Sequence, residues 1–239
     1  MSNKKIIWAL AVIGICAFYT ACILTNQIIG NGDIITSERT VSAFEEVNHR
    51  GAGTVYYHAS DEYRVTVTID ENLDEFVEII TKDNVLNIGT KSGSYSFTKF
   101  VVDVYCPVLT GVSVSGSGNF MSSDRIVSRT FSSTVSGSGS IGGVFECESF
   151  YAKISGSGKI DVAGNSKDAD ISISGSGKFS GSDFEMENAD VRVSGSGNAA
   201  VYVTNNLKAN ISGSGGINYG GEPKTINSNV SGSGNIRKM

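Results

Sequence analysis

Two histidines, four cysteines and scattered carboxylates are the residues of this chain with reactive chemistry to offer. A Ser/His/Asp triad would have to recruit His49 or His58. His49 falls on the apolar face of the alternating segment "VNHRGAGTVYY" and reads as structural. His58 follows Tyr56-Tyr57 and reads as a surface turn residue. With these two alone, a histidine-based metal site is not expected. Glycoside cleavage needs two carboxylates about 5 to 9.5 Å apart. Asp170 and Asp190 meet that by phase, each four residues before a Ser-Gly-Ser-Gly unit. Both read as corner residues, and no Lys or Arg neighbours suggest a lyase cleft. Asp161 and Asp168, and the group Asp70, Glu71, Asp74 and Glu75, are further candidates of the same kind. Residues 137–142, "GSGSIG", match the GxGxxG dinucleotide fingerprint, but no helical period follows to receive a pyrophosphate. No catalytic, cofactor-binding or metal residue is assigned, and no cofactor is expected.

The residues that do recur are small. The tetrapeptide SGSG starts at Ser115, Ser136, Ser155, Ser174, Ser194, Ser212 and Ser231, at spacings of 18 to 21 residues. Each unit is preceded by a β-branched residue: Val114, Val135, Ile154, Ile173, Val193, Ile211 or Val230. A period of about 19 is too short for helix-pair repeats or propeller blades. It suits one coil of a parallel β-helix, two or three short strands plus corners. The expected fold is therefore all-β: a single parallel β-helix, a solenoid of ~19-residue coils that bury their apolar faces by stacking. Read with period two, Val112, Val114, Gly116, Gly118 and Phe120 face inward, and Ser113, Ser115, Ser117 and Asn119 face outward. Stacking puts the seven leading serines in one column, and Ser117, Ser138, Ser157 and their successors in another. Their hydroxyls are expected to donate up and accept down each column. Gly116, Gly137, Gly156, Gly175, Gly195, Gly213 and Gly232, with Gly118 and its equivalents, leave positions without a Cβ. These are structural repeat residues. A calcium roll would need a carboxylate after the glycines. Asn119, Ser140, Lys159, Lys178, Asn198, Gly216 and Asn235 stand there instead.

Upstream the pattern loosens. "VNHRGAGTVYY" is an eighth, degenerate copy, and "IIGNGDI" at 28–34 a fainter echo. "FVEIITKDNVLNIGTK" reads as a hairpin turning at Asp83-Asn84, and Asp70 as the cap of one helical turn. Residues 35–110 are expected to form irregular N-terminal coils capping the regular helix of 111–239, with 22–34 as a linker. Arg237-Lys238 are expected to discourage end-to-end stacking at the other end.

The formal charge of −5 and the absence of any basic run exclude nucleic acid as an expected partner. Lys4 and Lys5 followed by the apolar run 6–21 read as an export signal over residues 1–21. Its end, Tyr19-Thr20-Ala21-Cys22, resembles a lipobox, which makes Cys22 the expected lipidation site. An ordinary cleaved signal and an uncleaved anchor are the alternatives. The expected location is outside the cytoplasm, as an outer-membrane lipoprotein, with the periplasmic or surface side left open. Cys106 and Cys147 take similar phases two coils apart, too far for a disulfide, and are expected as free, largely buried thiols. Tyr56, Tyr57, Tyr63, Tyr95 and Tyr105 cluster near the N-terminus, some in the core and some free to stack on sugars or partners.

Three stretches carry a family resemblance: "GNGDIITSERTVSAFEEVNHRGAGTVYY", "IDENLDEFVEI" and the serial "VSGSGN" units. Over about residues 29–239 the chain resembles the bacterial family called putative auto-transporter adhesin, head GIN domain. The resemblance implies a right-handed parallel β-helix in exported, often lipidated proteins, and supplies no catalytic residues. The expected function is a non-enzymatic cell-envelope lipoprotein, an adhesin-like scaffold for a glycan or envelope protein, held to the membrane by its lipid. The alternatives are a polysaccharide-active enzyme and a structural envelope component that self-associates through its coil ends.

Overall fold

The computed structural model describes residues 27–239, so the expected signal segment and Cys22 lie outside the described residues. Among the described residues no helix is long and apolar enough to cross a membrane. The strands in chain order are β1 (Ile28–Ile29), β2 (Ile34–Arg39), β3 (Glu46–Gly51), β4 (Thr54–Ala59), β5 (Arg64–Asp70), β6 (Val77–Lys82), β7 (Val85–Thr90), β8 (Tyr95–Ser96) and β9 (Phe100–Cys106). They continue as β10 (Gly111–Gly116), β11 (Asn119–Gly137), β12 (Ser140–Gly156), β13 (Lys159–Gly175), β14 (Lys178–Gly195), β15 (Asn198–Gly213), β16 (Gly216–Gly220), β17 (Thr225–Gly232) and β18 (Asn235–Lys238).

From β10 onward the chain is a parallel β-solenoid. Each of β11 to β15 runs 16 to 19 residues, nearly a whole coil bent at its corners. Each lies parallel on the coil before it. SGSG units stack in register: Ser115 on Ser136, Ser136 on Ser155, Ser155 on Ser174, Ser174 on Ser194 and Ser194 on Ser212. The residue before each unit, from Val114 to Ile211, is buried, as is the residue five after its first Ser, from Phe120 to Ile217. Burying such a side chain contributes about 1.5 to 3 kcal/mol, and in-register stacking repeats that gain at every coil. Phe131, Phe145, Phe150 and Phe184 form an aromatic cluster inside the stack, with Phe150 4.9 Å from Phe184 and 5.6 Å from Phe145 between ring centroids.

The two glycines of a unit differ in role, and here the structure corrects the period-two reading. Gly116 and its equivalents do not face inward; they end the strand with positive φ, +115° at Gly156. A Cβ on Gly156 would lie 2.6 Å from the Gly137 carbonyl oxygen one coil below. The backbone turns through the second Ser, and the second Gly then faces the core. A Cβ on Gly158 would lie 2.4 Å from Cγ1 of Val135. The β-branched residue before one unit thus occupies the space that the second glycine of the next leaves open. The expected hydroxyl ladder is likewise replaced by a backbone one. Ser138, Ser157 and Ser176 donate their N–H groups to the carbonyls of Gly116, Gly137 and Gly156, each at 2.9 Å. Coils about 4.8 Å apart hold equivalent short hydroxyls beyond the ~2.8 Å of an O–H···O bond.

The N-terminal stretch is irregular: parallel layers mix with antiparallel pieces where the chain doubles back. The degenerate copy does stack under the first unit, Val47 on Val112 and Gly51 on Gly116. The insertion between them folds into antiparallel pieces. β6 and β7 form the hairpin at Asp83-Asn84, both with positive φ. β7 runs parallel beside β3, so the hairpin covers that edge of the stack. β5 pairs antiparallel with both β2 and β9, while β9 runs parallel to β4. Ile28–Ile29 pair with Tyr95–Ser96 in a separate two-stranded sheet, so the faint echo at 28–34 is no coil. Asp70 does precede a 3-10 turn, Glu71–Phe76, but its side chain does not cap it. Its buried carboxylate accepts instead from the N–H groups of Gly32 at 3.0 Å and Thr98 at 2.8 Å, tying two loops to the cap.

Candidate ligand-binding face

Between the corner near residue 148 and the SGSG turn, each coil contributes one straight strand to a common sheet. Odd and even positions alternate, so outward side chains form columns running along the solenoid axis. One column is Ser149, Asp168, Asn188, Asn206 and Thr225; the next is Tyr151, Asp170, Asp190, Lys208 and Asn227. Between them runs the inward column of Phe150, Ala169, Ala189 and Leu207, whose backbone is the floor of an open groove. Its volume is about 420 Å³. A second groove, about 290 Å³, lies farther along the same strands, walled by Ser172, Arg192, Asn210 and Asn229 on one side and Ser174, Ser194, Ser212 and Ser231 on the other. The leading serines of the later repeats thus line a surface groove.

The walls are fixed by bonds from coil to coil. Asn188 donates to Asp168 at 2.9 Å, and Asn206 to the Asn188 amide oxygen at 2.7 Å. Amides and carboxylates span a coil spacing that hydroxyls do not. The pair singled out in the sequence, Asp170 and Asp190, does meet on adjacent coils. Contrary to the sequence expectation, cations attend it. Arg192 bonds Asp170 at 2.9 Å and Asp190 at 2.7 Å, and Lys208 reaches Asp190 at 3.0 Å. Both carboxylates are engaged in ion pairs across the coils. Among the described residues no cluster of three or more His, Cys, Asp or Glu could hold a metal ion. One oxygen of Asp190, Oδ1, is buried without a partner and faces this network unsatisfied. The arrangement presents a row of amides, carboxylates and cations able to hydrogen-bond a ligand.

Tyr151, half exposed at 50%, is an exposed aromatic residue of the groove wall, and the sequence reading passed over it. Asn188, Asn206 and Lys208 were missed with it. The signal was available: all lie four or six residues before a unit's first Ser, in phase with Asp170 or Asp168. The N-terminal tyrosines sort differently. Tyr57 is buried, its hydroxyl donates to the Cys106 carbonyl, and burial pushes its pKa up to about 12. Tyr56 and Tyr63 are partly exposed, and Tyr63 packs edge-on to Phe44. His58 is no turn residue; it lies in β4, bonds Asp103 at 2.9 Å and stacks on Tyr105. His49 is fully buried and stacks under Val114, as its phase implied. Burial holds its imidazole below the ordinary histidine value, and its Nδ1 has no partner. Cys106 and Cys147 are free thiols, the first buried and the second half-buried. Burial raises them to about 12 and about 11, so both stay protonated and unreactive near neutral pH.

No curated protein matches this chain. Among solved structures, it is similar to a "putative lipid binding protein" from Parabacteroides distasonis ATCC 8503 (28% identity, 89% of this chain and 99% of that one, TM-score 0.75). It is also similar to a "putative adhesin" from the same organism (30% identity, 89% and 100%, TM-score 0.72). A "putative adhesin" from Bacteroides fragilis NCTC 9343 shares the fold (20% identity, 89% and 100%, TM-score 0.83). Residues 43–223 match the model of the family described as putative auto-transporter adhesin, head GIN domain, and the chain belongs to that family.

Proposed function

We propose that this chain is an exported, non-enzymatic adhesin-like protein that binds a neutral glycan along its columned face. The observation that carries the reading is the groove over Ala169 and Ala189. Planar amides and carboxylates line it at the spacing of successive coils, and Tyr151 stands at one end. Vicinal sugar hydroxyls suit such amide and carboxylate edges, and the C–H face of a pyranose suits an exposed tyrosine ring. Asp168, Asp170 and Asp190 stand against Arg192 and Lys208, a nearly balanced set that favours neither a polyanion nor a polycation. The groove is open along the surface, unlike an enclosed site for an acyl chain. Lipidation at Cys22 would hold the protein at the outer membrane.

The test is a glycan array probed with the full chain and with a Tyr151→Ala, Asn188→Ala double variant. Retained neutral-glycan hits that vanish in the variant support the reading. No hit, or hits indifferent to the variant, overturns it, and glycan turnover would replace it with an enzyme. Protease access on intact cells, beside a Cys22→Ala version, separates a surface lipoprotein from a periplasmic one.

A further inference from the structure

The two ends of the solenoid are finished differently. At the first end the β6–β7 hairpin lies beside β3. At the last, β17 lies on β15, and among the described residues no strand pairs with its other edge. Ile226, Ser228 and Val230 stack on Leu207, Ala209 and Ile211, so their side chains face inward. Those three partners are buried, yet Ile226 is 44% exposed and Val230 42%. A row of backbone N–H and C=O groups and a strip of apolar core are thus both uncovered, and such an edge is a template for another strand.

The sequence of that edge says which strand fits. Residues 225–231 read TINSNVS, which is symmetrical by chemistry about Ser228. Asn227 mirrors Asn229, Ile226 mirrors Val230 and Thr225 mirrors Ser231. We propose that a second copy of this chain pairs with the edge tail to tail, β17 antiparallel to β17 about a two-fold axis at Ser228. Opposed residues in an antiparallel pair share a face. The register therefore sets Ile226 opposite Val230 of the second copy inside, and Asn227 opposite Asn229 outside. The two Ser228 hydroxyls meet on the axis. A two-fold interface closes after one partner, so pairing stops at the dimer. The terminal cations do not obstruct it. Arg237 bonds Asn218 at 2.8 Å and Lys238 pairs with Glu222, both along the wall of their own chain. Lys224 falls opposite Gly232, not opposite itself.

The full chain in detergent, carrying Ser228→Cys, is oxidised and mapped by mass spectrometry, beside a Ser174→Cys control on the outward face. The expected product is a homodimer joined at position 228, with no comparable link at 174. In a second measurement, sedimentation of the unmodified chain shows a concentration-dependent dimer. A double variant, Ile226→Lys with Val230→Lys, weakens it more than about 100-fold, since like charges opposed across an interface cost several kcal/mol. Its unchanged circular dichroism confirms that the coils remain folded. Equal linking at both positions, a dimer insensitive to the lysines, or a monomer at every concentration overturns the proposal. Because none of these readouts involves a glycan, failure here leaves the groove untouched.

Discussion

Gly175 rests on Gly156 so closely that a Cβ on the upper residue would lie 2.6 Å from the lower carbonyl oxygen. Gly51 has the same positive φ at the foot of that column, and a Cβ there would meet nothing within 4 Å. The pair separates backbone strain from collision. A side chain in the left-handed region costs about 1 to 2 kcal/mol, and Gly51→Ala is expected to cost about that. Gly175→Ala adds a backbone clash that no rotamer relieves and is expected to cost at least ~1 kcal/mol more than the strain alone. Urea midpoints of the two variants, taken with their m-values, check this; equal losses would remove the collision from the account.

His49 gives the fold a dependence on mild acid. Its folded pKa lies below the ordinary histidine value because burial disfavours the cation. As pH falls below about 6.5, the unfolded chain takes up a proton that the folded chain refuses. Stability is therefore fullest above that pH and declines as pH drops toward the folded value. His49→Val, which copies Val114 one coil above, is expected to abolish that decline. Thermal melts at pH 7.5 and 5.5 measure it, and an undiminished slope in the variant would place the sensitivity elsewhere.

Asp70 acts on the acid side of that range. Burial alone would raise its carboxyl, but the hydrogen bonds from Thr98, Gly32 and Lys99 outweigh it and leave the group below the usual carboxylate value. A depressed carboxylate contributes stability above its unfolded pKa, near 4, that is lost as pH falls through the folded value. Asp70→Asn is expected to loosen the N-terminal end at neutral pH. Faster amide exchange at Gly32, Thr98 and Lys99, with the repeat amides unchanged, is the readout.

Tyr151 separates binding from folding. Its side chain lies on the surface, so Tyr151→Ala is expected to change stability by about 0.5 kcal/mol or less. Losing a stacking platform for a sugar ring is expected to weaken glycan binding about 5- to 10-fold. Titration calorimetry beside a denaturant curve tests both halves. Little change in affinity between 50 mM and 500 mM salt is also expected for a neutral ligand.

The repeat was legible because its period states its register: once Ser115 is set on Ser136, the buried column from Val114 to Ile211 follows. Period two failed at Gly116, where a positive φ breaks the alternation that side-chain pattern assumes. The capping region was less legible because its partners are distant in sequence: Asp70 answers to Gly32 and Thr98, which no local pattern connects to it. The groove lay between these cases. Asp170 and Asp190 were placed together by phase, while Arg192, two residues beyond Asp190, was passed over as their shared cation.

The uncovered last coil gives the solenoid a place where wear can begin. Each coil is held only by its neighbours, so loss of the last makes the next the new last. Peeling can start where Ile226 and Val230 are already half in water, and it must run through β17 and β15 before it reaches β14 and the Phe150–Phe184 contact. Erosion that starts at the C-terminal coil is expected to slow at the aromatic cluster.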